Sequence, residues 1–217
     1  MNIEQARFNM IEQQIRPWDV LDPRVLSLLN EVKRENFVPP AHRDLAFADL
    51  ELPLGDGQVM LPPRMEARLL QELMVKRSDR VLEIGTGSGY MAALLAARAE
   101  HVTSLERRPA LAAMARENLQ RSGVDNVTVE VADGLAGWPQ RAPFDVIVVS
   151  GAVPEVPAAL LKQLRVGGRL AVIVGVAPVM EARLITCTAE ATYHAVNMFE
   201  TQMPALDGAP EPAGFSF

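Results

Sequence analysis

The sequence predicts an α/β fold: a mostly parallel sheet with an antiparallel C-terminal edge hairpin and a helical N-terminal cover. Three observations lead there. Short apolar runs alternate with helix-period runs through the centre of the chain. The run Phe144 to Val149 is almost wholly apolar, as a strand covered on both faces must be. Arg183 to Thr188 and Thr192 to Phe199 are strand-like with no convincing helix between them, which suits an antiparallel pair.

The elements follow in order. Ile3, Ile11 and Ile15 recur at multiples of four and predict one stripe of an amphipathic helix. Asp22-Pro23 starts a second helix, with a capping carboxylate and a proline whose missing N–H costs nothing in the first turn. Val25, Leu26, Leu28 and Leu29 form its apolar face, and Pro39-Pro40 stops any continuation. Asp49 to Pro63 is rich in Gly and Pro and reads as a loop. Met65, Leu69, Leu70, Leu73 and Met74 are spaced for a helix, Arg80 to Ile84 is a strand, and Tyr90 to Arg98 a helix. Val102 to Glu106 is a second strand, Pro109 to Ser122 a helix closed by Gly123, and Val127 to Val131 a third strand. Phe144 to Val149 is the fourth, Pro157 to Leu164 is helical, Gly167-Gly168 turns, and Leu170 to Val174 is the fifth. Residues 1–60 read as the cover, 61–206 as the α/β domain and 207–217 as a flexible tail, all within one structural domain.

Composition narrows the function classes. The chain has 217 residues, 49% hydrophobic, which excludes a disordered protein. A chain of this length buries about 70% of its unfolded surface and needs no disulfide or metal staple. With 21 Lys+Arg against 27 Asp+Glu, the net charge of −6 argues against sequence-independent binding to nucleic acid. No stretch approaches the ~18 uninterrupted apolar residues of a membrane span, and Met1 to Gln5 lack a basic segment followed by an apolar core. The expectation is a cytoplasmic protein. The single cysteine, Cys187, lies in an apolar run and reads as a buried structural thiol. His42, His101 and His194 lack metal-ligand spacing, so no metal site is expected. Trp18 and Trp138 read as packing residues.

The informative stretch is Val81-Leu82-Glu83-Ile84-Gly85-Thr86-Gly87-Ser88-Gly89-Tyr90, a strand entering a glycine turn from which a helix leaves. Such a turn lets a ligand approach the backbone at a helix N-terminus. A dinucleotide reading fails from Gly85, because Tyr90 fills the sixth place; from Gly87 it formally works through Gly89 and Ala92, with Glu106 at 19 positions. Charge opposes it. Glu83 would face a pyrophosphate, with repulsion on the order of several kcal/mol. A cationic ligand without phosphate suits the acids that stand at three successive strand ends, Glu83, Glu106 and Asp133. S-adenosyl-L-methionine is such a ligand. Glu106 would accept its ribose hydroxyls, and Asp133-Gly134 would receive its adenine edge.

These residues resemble the first motif of the protein-L-isoaspartate O-methyltransferase family. The resemblance covers most of the chain. Upstream it takes in Asp22 to Leu26, Arg34 to Pro39 and Leu52 to Gln58; downstream it takes in Asp133-Gly134, Gly137 to Pro139, Ala142 to Asp145 and Gln163 to Leu170. It implies a class I methyltransferase (Rossmann-like) sheet of seven strands and a cofactor site of Glu83, Gly85, Thr86, Gly87, Gly89, Glu106, Arg107, Asp133 and Gly134. The implied reaction is methylation of an isoaspartyl carboxylate in a damaged protein or peptide, leaving S-adenosyl-L-homocysteine.

One departure bears on the acceptor. The family reads Thr-x-Ser-x-Pro after Asp-Gly-Gln, whereas this chain has Gln58-Val59-Met60-Leu61-Pro62-Pro63-Arg64. Gln58, Val59, Met60 and Leu61 are the expected pocket wall, with apolar side chains at both hydroxyl positions. Arg64 has two readings: a partner for the acceptor carboxylate, or a solvent-facing residue in the first turn of the following helix. Thr201 to Leu206 aligns only loosely with the family's carboxylate-clamping strand Val-x-Phe-Val-Pro-Leu. Two other readings stay open here: the same cofactor with a different acceptor such as an apolar small molecule, and a protein that binds the cofactor without transfer.

Overall fold

The computed structural model describes residues 2–210. The chain begins with α1 (Ile3–Met10), a π-helical turn Ile11–Ile15 and α2 (Pro23–Glu31), in which the Asp22 side chain accepts the Arg24 N–H. A hairpin of β1 (Leu52–Gly55) and β2 (Gln58–Met60) precedes α3 (Pro63–Leu73). Then come β3 (Arg80–Ile84), α4 (Tyr90–Ala96), β4 (His101–Glu106), α5 (Pro109–Arg121), β5 (Val127–Val131), β6 (Phe144–Val153), α6 (Ala158–Leu161), β7 (Leu164–Val176), β8 (Val179–Ala189) and β9 (Thr192–Thr201).

The large sheet runs in the order β5-β4-β3-β6-β7-β8-β9. The first five strands are mutually parallel, and β8 and β9 close the sheet as an antiparallel pair. Successive side chains on a strand face opposite ways, and the core divides accordingly. Val81, Val146, Val148, Ala171 and Ile173 pack with α3, α4, α5 and the N-terminal segment. Leu82, Ile84, Ile147, Val149, Leu170 and Val172 pack with Leu160 of α6 on the other side. Burial on both faces explains the unbroken apolar runs.

Residues of the first sixty share one core cluster with the central strands. Arg34 joins them: fully buried, it donates to the Ala46 carbonyl (3.0 Å) and the Leu61 carbonyl (2.6 Å), pairs with Glu66, and lies over the Tyr90 ring at 5.0 Å.

Several expected boundaries moved for identifiable reasons. The segment 49–63, read as loop, contains the β1–β2 hairpin, because Asp56 and Gly57 adopt the positive φ angles (51° and 74°) that a tight hairpin turn requires. The isoleucine stripe is broken: Ile11 and Ile15 are buried but Ile3 is exposed, since α1 ends at Met10 and the wider π turn shifts the face. Met74 leaves the α3 stripe as its left-handed cap, exposed. α4 stops at Ala96, not Arg98. α6 is four residues long because Leu164 has already joined the sheet opposite Phe144. Gly167-Gly168 sits within β7, in the register slip that carries pairing from Leu164 to Arg169. Cys187 is buried in β8. No helix among the described residues is long and apolar enough to cross a membrane.

Candidate active site

The C-terminal ends of β3, β4 and β6 meet at one end of the sheet, where an open α/β sheet forms its crevice. The chain leaves β3 at Gly85, whose φ of +90° lies in the left-handed region. A Cβ there would press on the end of the Leu206 side chain at 3.3 Å, a contact that can give, so the positive φ is what calls for glycine. Gly85 donates its N–H to the Leu105 carbonyl at 2.9 Å, tying the turn to β4.

Glu106, at the end of β4, faces the same turn. Its Oε2 accepts the Gly87 N–H at 2.9 Å and its Oε1 accepts the Arg108 N–H at 3.0 Å. Asp133 follows β5 and accepts the Leu135 N–H at 3.0 Å, capping the 3-10 turn Gly134–Ala136. Gly134 lies against Ile84 so closely that a Cβ would fall 2.3 Å from its Cγ2.

A roof closes the site from outside the parallel strands. Ala152 N–H donates to the Pro204 carbonyl (2.9 Å) and Leu206 N–H to the Ala152 carbonyl (2.7 Å), forming a parallel bridge at Ala205. Arg108 pairs with Asp207 at 3.0 Å and lies 4.0 Å from Asp56 at the hairpin tip, so it spans both margins of the opening.

Between these parts lies a cleft of about 680 Å³ bounded by Gln58, Val59, Leu61, Gly85, Gly87, Glu106, Arg107, Asp133, Gly134, Ser150 and Met203 to Asp207. An inner recess of about 290 Å³ adjoins it, lined by Val59, Met60, Leu61, Glu66, Glu83, Thr86, Tyr90 and Ser150 among others. The expected site residues thus converge on these two cavities, except Gly89 and Arg64. Glu83 lines the recess and not the main cleft. Its carboxyl group is fully buried, accepting from Ser104 Oγ at 2.6 Å and facing Ser150 Oγ at 3.4 Å; burial pushes it up to about 8. Burial thus favours its neutral form over the carboxylate. Glu66, which sequence reasoning passed over, is also buried in the recess, where burial outweighs its Arg34 partner and pushes it up to about 7. Gly89 caps α4 behind the turn and borders neither cavity.

Arg64 borders neither cavity as well. It pairs with Asp49 at 2.6 Å and its guanidinium lies 4.3 Å over the Trp18 ring, so its carboxylate partner is internal. Trp18 in turn meets Phe199 edge-on at 5.7 Å, and Trp138 packs against the second core cluster. Of the histidines, His101 faces Thr128 Oγ1 at 3.0 Å; among the described residues no group of three or more His, Cys, Asp or Glu could hold a metal ion.

Sequence reasoning missed Ser150 and Arg108; it singled out Thr201 to Leu206, and Pro204 and Leu206 of that segment form the roof. Ser150 directly follows the apolar run of β6 and carried its own signal, a polar residue where a central strand reaches the crevice. Asp207, the first residue of the segment read as tail, lies at the cleft margin beside Arg108; 211–217 lie outside the described residues.

The chain is similar to known proteins over most of its length. The family model described as protein-L-isoaspartate(D-aspartate) O-methyltransferase matches residues 5–200. A Rhodopseudomonas palustris protein-L-isoaspartate O-methyltransferase is 42% identical over 211 residues, covering 94% of this chain and 97% of the relative. A Marinobacter nauticus protein-L-isoaspartate O-methyltransferase 2 is 48% identical over 174 residues, 80% of each chain. Among solved structures, a protein-L-isoaspartate O-methyltransferase superposes with a TM-score of 0.79 at 26% identity, over 95% of this chain and 66% of that one. A Plasmodium falciparum structure described as a β-aspartate methyltransferase in complex with S-adenosyl-L-homocysteine gives 0.82 over 95% and 99%; at 20% identity that likeness is one of fold.

Proposed function

From the premise that this chain belongs to the protein-L-isoaspartate(D-aspartate) O-methyltransferase family, we propose that it methylates the α-carboxylate of isoaspartyl residues in damaged proteins or peptides. The methyl donor is S-adenosyl-L-methionine. The observation that carries the reading is the Glu106–Gly87 contact. In a dinucleotide site the glycine-turn amides face a pyrophosphate; here the Gly87 amide is already given to a carboxylate at 2.9 Å. An anionic phosphate at that position would meet Glu106, whereas ribose hydroxyls can donate to its remaining lone pairs.

The residues fit the cofactor on that ground. Gly85, Thr86 and Gly87 with Gly134 would bound it, Glu106 and Arg107 would meet the ribose, and Asp133 the adenine edge; Gly89 keeps the turn in place from the helix side. When bound, the cofactor supplies an electrophilic methyl group on a sulfonium. The protein's share is alignment and exclusion of water, and orientation alone can lower a barrier by about 7–11 kcal/mol. The acceptor carboxylate is already ionised at pH 7 and needs no general base. Gln58, Val59, Met60 and Leu61 form the wall on the acceptor side. The single buried thiol, Cys187, suits the reducing cytoplasm, where we place the protein.

The apolar Val59 and Leu61 favour a second reading, the same cofactor with a different acceptor. One experiment separates them: calorimetric titration with S-adenosyl-L-homocysteine, then methyl transfer from radiolabelled donor to an isoaspartyl peptide and its aspartyl twin. Selective labelling of the isoaspartyl peptide is expected. Cofactor binding with no labelling of either peptide would transfer the assignment to another acceptor.

A further inference from the structure

The cleft and its recess share five residues at their junction: Val59, Leu61, Gly85, Gly87 and Ser150. Of these, only Ser150 carries a polar side chain, and it is the one hydroxyl at the junction now that positions 59 and 61 are apolar. It belongs to a hydrogen-bonded chain that crosses three strand ends. Toward an ionised Glu83, Ser104 Oγ donates to Oε2 at 2.6 Å, and Thr86 Oγ1 lies 2.5 Å from Ser104 Oγ. The other carboxyl oxygen, Oε1, faces Ser150 Oγ at 3.4 Å.

The charge of Glu83 then biases which way the Ser150 hydrogen points. A neutral Glu83 accepts from Ser150 more weakly than a carboxylate does, so the Ser150 hydrogen can turn to the cleft. An ionised Glu83 takes that hydrogen for itself. The groups facing Glu83 are Ser104 and Glu106 from β4, Ser150 from β6, and Glu66 from α3 with its partner Arg34; both acids oppose ionisation, and burial does so most strongly.

Resting on the methyltransferase reading above, we propose that Ser150 supplies the hydroxyl that receives the acceptor carboxylate in place of those missing at Val59 and Leu61, with Glu83 as a positioning residue behind it. Neutral Glu83 both leaves the donor free and spares the incoming carboxylate a like charge.

The test uses the full chain, saturating S-adenosyl-L-methionine and an isoaspartyl peptide. Ser150→Ala raises the peptide KM roughly tenfold or more, the usual effect of losing a hydrogen bond to a charged group, while its affinity for S-adenosyl-L-homocysteine by calorimetry stays at the wild-type level. Ser150→Thr restores the KM. In the wild type the KM climbs as pH rises and Glu83 ionises; in Glu83→Gln that climb is absent. An active wild type with an unchanged KM in Ser150→Ala overturns the assignment of Ser150. The same alkaline climb in Glu83→Gln overturns the role of Glu83. Failure of the wild type itself to label the isoaspartyl peptide overturns the proposed acceptor, and this inference with it.

Discussion

Glu106 makes two hydrogen bonds to backbone amides, and these hold its carboxylate toward the cleft without help from any long side chain. Glu106→Gln keeps the shape and removes the charge, so the affinity for S-adenosyl-L-homocysteine should fall about tenfold, read by calorimetry. Val59 and Leu61 invite the opposite experiment. Restoring hydroxyls with Val59→Thr and Leu61→Ser should raise kcat/KM for an isoaspartyl peptide by one to two powers of ten, roughly the worth of a charged hydrogen bond. No gain would mean that the acceptor side has diverged beyond these two side chains. Most cleft residues were legible in the sequence because they occupy strand ends, and strand ends are positions a periodicity argument can find. Arg64 was not: whether a guanidinium pairs with a ligand or with Asp49 depends on where residues fifteen positions away fold.

At the scale of elements, the Arg34–Glu66 pair links the N-terminal segment to α3 and, through the Leu61 carbonyl, fixes the exit of the β1–β2 hairpin. Arg34→Ala leaves a buried carboxyl without its partner and should cost about 3–5 kcal/mol in denaturant unfolding; an apolar replacement of both residues should recover most of it. The roof is a second separable element. Ending the chain at Gln202 removes the bridge to Ala152 and the Leu206 cover over Gly85, while β9 is complete at Thr201. The truncated protein should keep its far-ultraviolet dichroism and lose most of its cofactor affinity. The parallel strands were readable because double burial forces continuous apolar runs, and Asp22-Pro23 because its capping chemistry is local. The hairpin hid behind its Pro and Gly content although Asp56-Gly57 is itself a hairpin signal. The extent of β7 was hidden for another reason: a strand that continues through Gly167-Gly168 does so by pairing with β6, which no local pattern records.

For the molecule as a whole, buried acids set a pH dependence of stability. Burial raises Glu83 to about 8 from an ordinary value of 4.5, so the folded protein holds that proton more tightly than the unfolded chain. Its stabilising contribution is complete below pH ~4.5 and is lost as pH rises through about 8, a change on the order of several kcal/mol. Glu66, raised to about 7, acts with the same sign. Glu83→Gln should flatten the fall in Tm between about pH 5 and about pH 8.5; a slope equal to that of the wild type would contradict the burial argument. The roof has a consequence in time as well as in space. A chain emerging from the ribosome delivers the glycine turn, Glu106 and Asp133 well before Pro204 to Leu206, so the crevice exists first as an open trough. Cofactor retention, and the stabilisation that a tightly held ligand lends to its host, should therefore require Pro204 to Leu206 in place. A nascent or C-terminally clipped copy would be left unprotected by the metabolite and exposed to proteolytic turnover.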